Sequence, residues 1–493
     1  MFYTSTRNNS IKITASQAIL KGLSDEGGLF VPEEFPKLSV DLETLADMSY
    51  KEVAYTVMKD FLSDFTEEEL KYCIDNAYDS KFDTEEIAPL VEAEGTYYLE
   101  LFHGKTIAFK DMALSILPYL LTTAAKKNDF HKEIVILTAT SGDTGKAALA
   151  GFADVKGIRI MVFYPKGGVS KIQELQMLTQ QEKNTCVYGV KGNFDDCQTA
   201  VKELFNDEAL MKEMDEKGFA FSSANSINIG RLVPQVAYYV YAYAKLVKED
   251  RILPGEKINF CVPTGNFGNI LAGFYAKNMG LPINKLICAS NENKVLFDFF
   301  KTGEYDKNRD FVLTKSPSMD ILISSNLERL IYLLMNRDSE KLSALMKSLK
   351  ETGSYDVKKE LEAFNDTFVG EYSEWSESAK KIHDLYEDTG YVIDTHTAVA
   401  AAALDKYVHD TKDHTKTVVV STASPFKFGP AVMSAIDKKY EGADALKLLD
   451  ELSKLANVEK PNAIKEILSL PIKAENVCEI KEMKSALKKE LNL

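Results

Sequence analysis

The stretch Glu133-Ile-Val-Ile-Leu-Thr-Ala-Thr-Ser-Gly-Asp-Thr-Gly-Lys-Ala-Ala-Leu-Ala150 decides the fold. A short β-branched run enters a Gly-rich loop, Thr140 to Gly145, and leaves it as a helical Ala-rich segment. Ile158-Arg-Ile-Met-Val-Phe163 follows with another turn and helix. The texture returns at Ile258-Asn-Phe-Cys-Val262, Lys285-Leu-Ile-Cys-Ala289 and Thr417-Val-Val-Val-Ser421. Near-continuous apolar strands with helices between them predict a parallel sheet covered on both faces. The expected fold class is therefore α/β, with two open twisted parallel-sheet lobes and ligands held where strand carboxyl ends face a crevice.

Working outward, Asp25-Glu-Gly-Gly-Leu-Phe-Val-Pro32 is a turn-rich segment, and an acidic helical stretch runs from Leu42 to about Ser80. These set off a mainly helical N-terminal domain, 1–90, from a catalytic region, 91–440, and a helical tail, 441–493. The polar stretch between Asp338 and Glu377 and the Lys/Glu-rich tail both read as solvated helices. The formal charge of -15 excludes the basic footprint of a nucleic-acid binder, so an anionic small molecule must be met by a local positive pocket. The six cysteines lack CxxC pairing and indicate neither a zinc site nor a disulfide framework. No apolar run reaches about 18 residues and the start has no signal core, so no membrane association and a cytoplasmic location are expected.

The chemistry concentrates in three segments. Leu101-Phe-His-Gly-Lys-Thr-Ile-Ala-Phe-Lys110-Asp111 sets a lysine at a loop-to-helix junction beside Ala108 and Phe109, where desolvation would lower its pKa and free the amine for carbonyl chemistry. Pro263-Thr-Gly-Asn-Phe-Gly-Asn269 follows a strand and precedes a helix, the context in which backbone N–H groups converge on an anion. The loop Ser141 to Gly145 is no nucleotide P-loop: its glycine spacing is too short, and Ala147 stands where a Mg-binding hydroxyl should be. An amine and an anion cradle together suit an aldehyde cofactor carrying a phosphate, pyridoxal 5'-phosphate. Arg231 and Lys427 are candidates to clamp a substrate phosphate, with an ion pair bridging the lobes as the alternative for each. His103 and His396 are candidate proton shuttles or, alternatively, satisfied hydrogen-bonding groups. The stripe Tyr238-Tyr-Val-Tyr-Ala-Tyr243 is read as helix packing.

Several ordered segments make the resemblance specific. Tyr3-Thr-Ser-Thr-Arg7, the Asp25 segment, Ala108-Phe-Lys-Asp111, Gly192-Asn-Phe-Asp-Asp-Cys-Gln198, Asn225-Ser-Ile-Asn-Ile-Gly-Arg231, Ser316-Pro-Ser-Met-Asp320, Ser324-Ser-Asn-Leu-Glu-Arg329 and Asp394-Thr-His-Thr-Ala398 resemble the threonine synthase family, fold type II pyridoxal phosphate enzymes. The resemblance implies that O-phospho-L-homoserine and water become L-threonine and phosphate. It makes Lys110 the Schiff-base lysine and Gly265, Asn266, Phe267, Gly268 and Asn269 the cradle of the cofactor phosphate. Asp143 falls where the wider fold has an asparagine near the pyridoxal hydroxyl, and Thr422 where a residue faces the pyridine nitrogen. Candidate substrate-binding residues are Ser141, Thr144, Asn225, Ser226, Asn228, Arg231 and Lys427. Lys105, Thr395 and Ser424 depart from the family's usual proline, proline and histidine. A monomer or weak homo-oligomer is expected. The alternatives are a phospho-lyase or dehydratase of the same fold, which would release a keto acid, and a non-catalytic sensor of an amino-acid phosphate, which would not need Lys110.

Overall fold

The structure is a computed structural model that describes residues 1–140, 143–362, 366–473 and 475–493, without the side chains of Phe194 and Asp195. Two twisted sheets organise it. The larger has six strands in the order Phe368–Tyr372, Ile283–Ser290, Ile258–Pro263, Thr417–Ser421, Thr96–Glu100 and Leu90–Ala93. All neighbours in it are parallel except the last pair, which form a hairpin. The second sheet is wholly parallel, in the order Asn476–Glu479, Thr185–Lys191, Ile158–Pro165, Glu133–Ala139 and Phe219–Ser222.

The strands are apolar throughout because each serves two cores. Phe260 and Val262 join the main hydrophobic cluster while Cys261 between them joins another, and Val418, Val419 and Val420 divide in the same way. In the second sheet Ile134 and Ile136 face the main core, and Val135 and Leu137 face a third cluster. Side chains alternate across a strand, so burial on both faces removes the polar alternation of a one-sided sheet.

The chain passes from the second sheet to the larger one through the central helix Ile229–Lys248, in which every residue from Ile229 to Ala244 is buried. A helix that is apolar around its circumference belongs in an interior. It packs on Gly268–Met279 and on the N-terminal helices Leu42–Ala46 and Tyr50–Phe61. The N-terminal region is helical as expected, with capping boxes at Thr14, Ser49 and Thr66. It also carries an antiparallel sheet of Asn8–Ile13, Tyr3–Ser5 and Phe30–Pro32. Its core is continuous with the main cluster, from Tyr3 to Val420, and is not a separate core.

The two segments read as solvated helices are only partly so. The polar stretch contains the helix Ser339–Glu351, but Phe368–Tyr372 within it is an edge strand of the larger sheet. The tail has the helices Ala445–Ala456, Asn462–Ser469 and Met483–Leu491, yet Asn476–Glu479 pairs with Thr185–Lys191. Leu448, Leu449 and Leu452 are buried against the second cluster, and Met483 and Leu487 against the third. Among the described residues no helix is long and apolar enough to cross a membrane, and no group of His, Cys, Asp and Glu is disposed to hold a metal ion.

Candidate active site

Loops leaving the carboxyl ends of both sheets meet around Asp143. After Thr96–Glu100 the chain runs beside the end of Thr417–Ser421: Leu101 N–H donates to Ser421 C=O at 3.0 Å, Phe109 N–H to Thr422 C=O at 2.8 Å, and Ser424 N–H to Ile107 C=O at 3.0 Å. This clamp sets Lys110, at the start of the short helix Asp111–Leu114, next to Thr422. Asp111 secures the loop from inside, accepting from Thr106 N–H at 2.8 Å and Thr106 Oγ1 at 2.6 Å. Gly104 is required at that contact, because a Cβ there would lie 2.6 Å from the Asp111 side chain.

At the loop's entrance His103 sits between two carboxylates, Nδ1 2.7 Å from Asp83 and Nε2 2.8 Å from Glu100. Burial opposes its charged form, but the two partners raise its pKa to about 9. Both ring nitrogens are thus engaged. Because the folded value exceeds the unfolded one of about 6.5, its contribution is complete below about pH 6.5 and is lost as pH rises through about 9. His103→Gln is expected to cost about 2 kcal/mol at pH 6 and much less at pH 9.5. Equal losses of melting temperature at the two pH values would contradict this.

Asp143 begins the helix Asp143–Phe152 in the second lobe and gathers groups from both lobes. Its Oδ1 lies 3.0 Å from Lys427 Nζ and accepts from Gln173 Nε2 at 2.8 Å. Its Oδ2 accepts from Ser318 Oγ at 2.6 Å and stands 3.8 Å from Lys110 Nζ. Burial alone would raise this carboxyl, yet the Lys427 and Lys110 charges hold it well below the usual carboxylate range. Lys110 itself is lowered to about 8, chiefly by burial, with Asp143 and Asp111 opposing and Lys427 and Arg231 reinforcing the shift. Lys427 is fully buried and also donates to Thr106 C=O at 2.8 Å, so its ammonium forms an ion pair between the lobes. Lys146, one turn along from Asp143, donates to Gln180 Oε1 at 2.6 Å.

The loop after Ile258–Pro263 brings Phe267 into the left-handed region, φ 64°, immediately before the helix Gly268–Met279. No side chain caps that helix, so its first N–H groups are available to an anion. Gly265 is closely covered, since a Cβ would meet Ser318 C=O at 3.1 Å. Ser324 Oγ donates to Gly265 C=O at 2.7 Å, and Asn326 N–H to Asn266 C=O at 3.1 Å. Asn269 Oδ1 accepts from Tyr238 and Tyr239 hydroxyls, each at 2.7 Å, while its Nδ2 is buried with no partner. An uncapped helix start beside an orphaned amide donor fits a phosphate group.

Arg231 lies in the first turn of the central helix and is buried. Its Nη1 donates to Ala224 C=O at 2.8 Å, but its Nε has no partner, and among the described residues no carboxylate pairs with it. Burial lowers it to about 10, still a cation at neutral pH. The other polar residues before this helix are differently placed. Asn228 caps it, accepting from Gly230 N–H at 2.9 Å and donating to Ile19 C=O at 3.0 Å and Ser223 C=O at 3.2 Å. Asn225 is exposed, Ser226 is half-buried and gives its C=O to Asn326, and Thr144 is half-buried in the helix begun by Asp143. Ser141 lies outside the described residues.

His396 is also engaged on both sides, Nδ1 2.8 Å from Asp394 and Nε2 accepting from Ser318 N–H at 3.1 Å. Ser318 thereby links His396, Asp143 and the cover of Gly265. Its role, and those of Gln173, Tyr238 and Tyr239, had no local signal in the sequence beyond the Ser316 to Asp320 motif. Of the three departures from the family pattern, Ser424 caps the turn Pro425–Phe428 and Thr395 is the first residue of a helix capped by Asp394.

Comparisons with known proteins agree with this geometry. Residues 2–78 match the model of the threonine synthase N terminus, 83–423 that of pyridoxal-phosphate dependent enzymes, and 397–473 that of the threonine synthase C-terminal region. The chain is 37% identical over 495 residues to threonine synthase of Saccharomyces cerevisiae, covering 93% of this chain and 94% of that protein. It is 41% identical over 438 residues to human threonine synthase-like 1, covering 86% of this chain but only 58% of that protein. The yeast threonine synthase structure superposes with a TM-score of 0.88 at 34% identity, covering 100% of this chain and 99% of that one. A pyridoxal-phosphate-bound threonine synthase from Brucella melitensis gives 0.87 at 33% identity, with both chains covered completely. The cofactor is therefore pyridoxal phosphate, and the chain belongs to the threonine synthase family of pyridoxal-phosphate-dependent enzymes.

Proposed function

We propose that this chain is a threonine synthase, converting O-phospho-L-homoserine and water to L-threonine and inorganic phosphate. The observation that carries the reading is Arg231, a buried cation without a counter-ion among the described residues, whose charge is felt at Lys110. A buried, unpaired cation is costly unless a ligand completes it, and a phosphate is the anion that a guanidinium fork matches best. The Gly265 to Asn269 loop already offers a cradle for the cofactor's phosphate, which leaves Arg231 for a second one on the substrate. The name threonine synthase, carried by the relatives from the two structures and from S. cerevisiae, supports threonine as the product.

When bound, pyridoxal phosphate supplies a sink for the electron pair left at the substrate's Cα. Lys110, lowered to about 8 and half-buried, is suited to take the Cα proton and later to return it. Proton removal at Cβ then lets phosphate leave Cγ, with Arg231 bearing its developing charge. Protonation of Cγ and addition of water at Cβ complete the carbon skeleton of threonine. Thr422, whose C=O accepts from Phe109 N–H next to Lys110, carries a neutral hydroxyl and not a carboxylate that would favour a protonated ring nitrogen. Asp143 would face the ring hydroxyl.

The deciding experiment incubates purified, cofactor-loaded protein with O-phospho-L-homoserine and follows inorganic phosphate together with the amino-acid product. Equal amounts of phosphate and threonine are expected. Phosphate accompanied by a keto acid and ammonia would assign the phospho-lyase reaction instead, and no phosphate at all would remove the enzymatic reading.

A further inference from the structure

Two lysines approach one buried carboxylate, and they are not equivalent. Lys427 Nζ has two acceptors, Asp143 Oδ1 at 3.0 Å and Thr106 C=O at 2.8 Å, whereas Lys110 Nζ stands 3.8 Å from Asp143 Oδ2. Gln173 and Ser318 hold the two carboxylate oxygens from other directions at 2.8 and 2.6 Å, so the carboxylate is not free to turn toward Lys110. We propose that Lys427 is a positioning residue that occupies the Asp143 carboxylate, so that the Lys110 amine is not stabilised as an ammonium ion and keeps its lone pair for a carbonyl. This rests on the reading of Lys110 as the Schiff-base lysine.

The chemistry makes the arrangement matter. In imine formation the lone pair of the amine attacks the aldehyde carbon, a C–N bond forms, and the carbonyl oxygen leaves as water with two protons from nitrogen. An ammonium ion has no lone pair and cannot begin. The charged groups facing Lys110 are Asp143 from the helix Asp143–Phe152, Lys427 from the turn Pro425–Phe428, Arg231 from the central helix and Asp111 from its own helix. Burial and the two cations favour the neutral amine, and the two carboxyls oppose them. Lys427 acts twice, by its own repulsion and by neutralising the larger of the two opposing charges. Without it, Asp143 would have a single cationic neighbour at 3.8 Å, and that neighbour would be held protonated.

The test measures the second-order rate of imine formation between cofactor-stripped protein and pyridoxal phosphate from pH 6 to 10. Absorbance gives the rate, and borohydride trapping with peptide mapping locates the adduct. For the wild type a midpoint near 8 is expected, with the adduct on Lys110. Lys427→Met should raise the midpoint by about one unit or more, slowing imine formation at pH 7 by about tenfold. Lys427→Arg should keep the wild-type midpoint, because the cation remains. The double variant Asp143→Asn with Lys427→Met removes both charges, avoids an orphaned buried carboxylate, and should stay at or below the wild-type midpoint. A folded Lys427→Met protein with an unmoved midpoint overturns the inference. So does a double variant whose midpoint rises by a unit, even if the single variant does not fold. A wild-type adduct elsewhere than Lys110 would instead sink the functional reading beneath it.

Discussion

Lys110→Ala is expected to abolish turnover, by a factor on the order of 10⁴ or more, and to remove the imine absorption of the cofactor-loaded protein. The fold should survive. Asp143 keeps Lys427, Gln173 and Ser318 as partners, and the amine removed stands no closer to it than 3.8 Å. Lys427 is the other amine at this carboxylate, but its Nζ is engaged by Asp143 and Thr106 and is fully buried, so it cannot replace Lys110 without breaking both contacts. The cofactor phosphate should still bind, because the loop from Gly265 to Asn269 is held by Ser324, Asn326, Tyr238 and Tyr239 and not by Lys110. The variant should therefore bind pyridoxal phosphate as the free aldehyde. Partial recovery of turnover on adding a small primary amine would identify the missing group as the amine itself, whereas retention of near-normal activity would refute the assignment.

How much of this was legible in the chain follows from the range over which each feature is encoded. Ile258–Pro263 and Glu133–Ala139 could be read because burial on both faces leaves a continuous apolar run. Phe368–Tyr372 and Asn476–Glu479 could not. They are edge strands of four or five residues in charged surroundings, and only their neighbours in the sheet make them strands. Lys110 and the Gly265 to Asn269 loop were accessible because a strand, a turn and a helix start lie within a dozen residues of each other. The contacts that position them are not local. Asp143 meets Ser318 and Lys427 from the opposite lobe, and that no carboxylate among the described residues pairs with Arg231 is announced by no pattern around Asn225 to Arg231. The tyrosine stripe was expected to pack on a helix, and it does so, but Tyr238 and Tyr239 also turn their hydroxyls onto Asn269. Asn228 shows the ambiguity of polar residues before a helix: its side chain is fully committed to capping that helix and to the N-terminal region.

Arg231→Met should lower kcat/KM for O-phospho-L-homoserine about thirtyfold, mainly through KM, by loss of a charge-assisted contact of about 2 kcal/mol to a partly desolvated phosphate. The sign of its effect on stability separates this role from a structural one. If Arg231 were half of an ion pair joining the lobes, truncation would strand a buried carboxylate and lower the melting temperature sharply. Among the described residues no such carboxylate is present; the guanidinium gives one hydrogen bond to Ala224 C=O and leaves Nε buried without an acceptor. Methionine fills similar volume without a charge to desolvate, so the loss of one hydrogen bond is set against relief of an uncompensated cation. The melting temperature without substrate should thus change little or rise. Cofactor retention should also hold, because the loop beside Gly265 keeps its own supports. Steady-state kinetics beside a melting curve decides the matter. A large fall in melting temperature with an unchanged KM would mean that Arg231 holds the fold together and that another group receives the substrate phosphate.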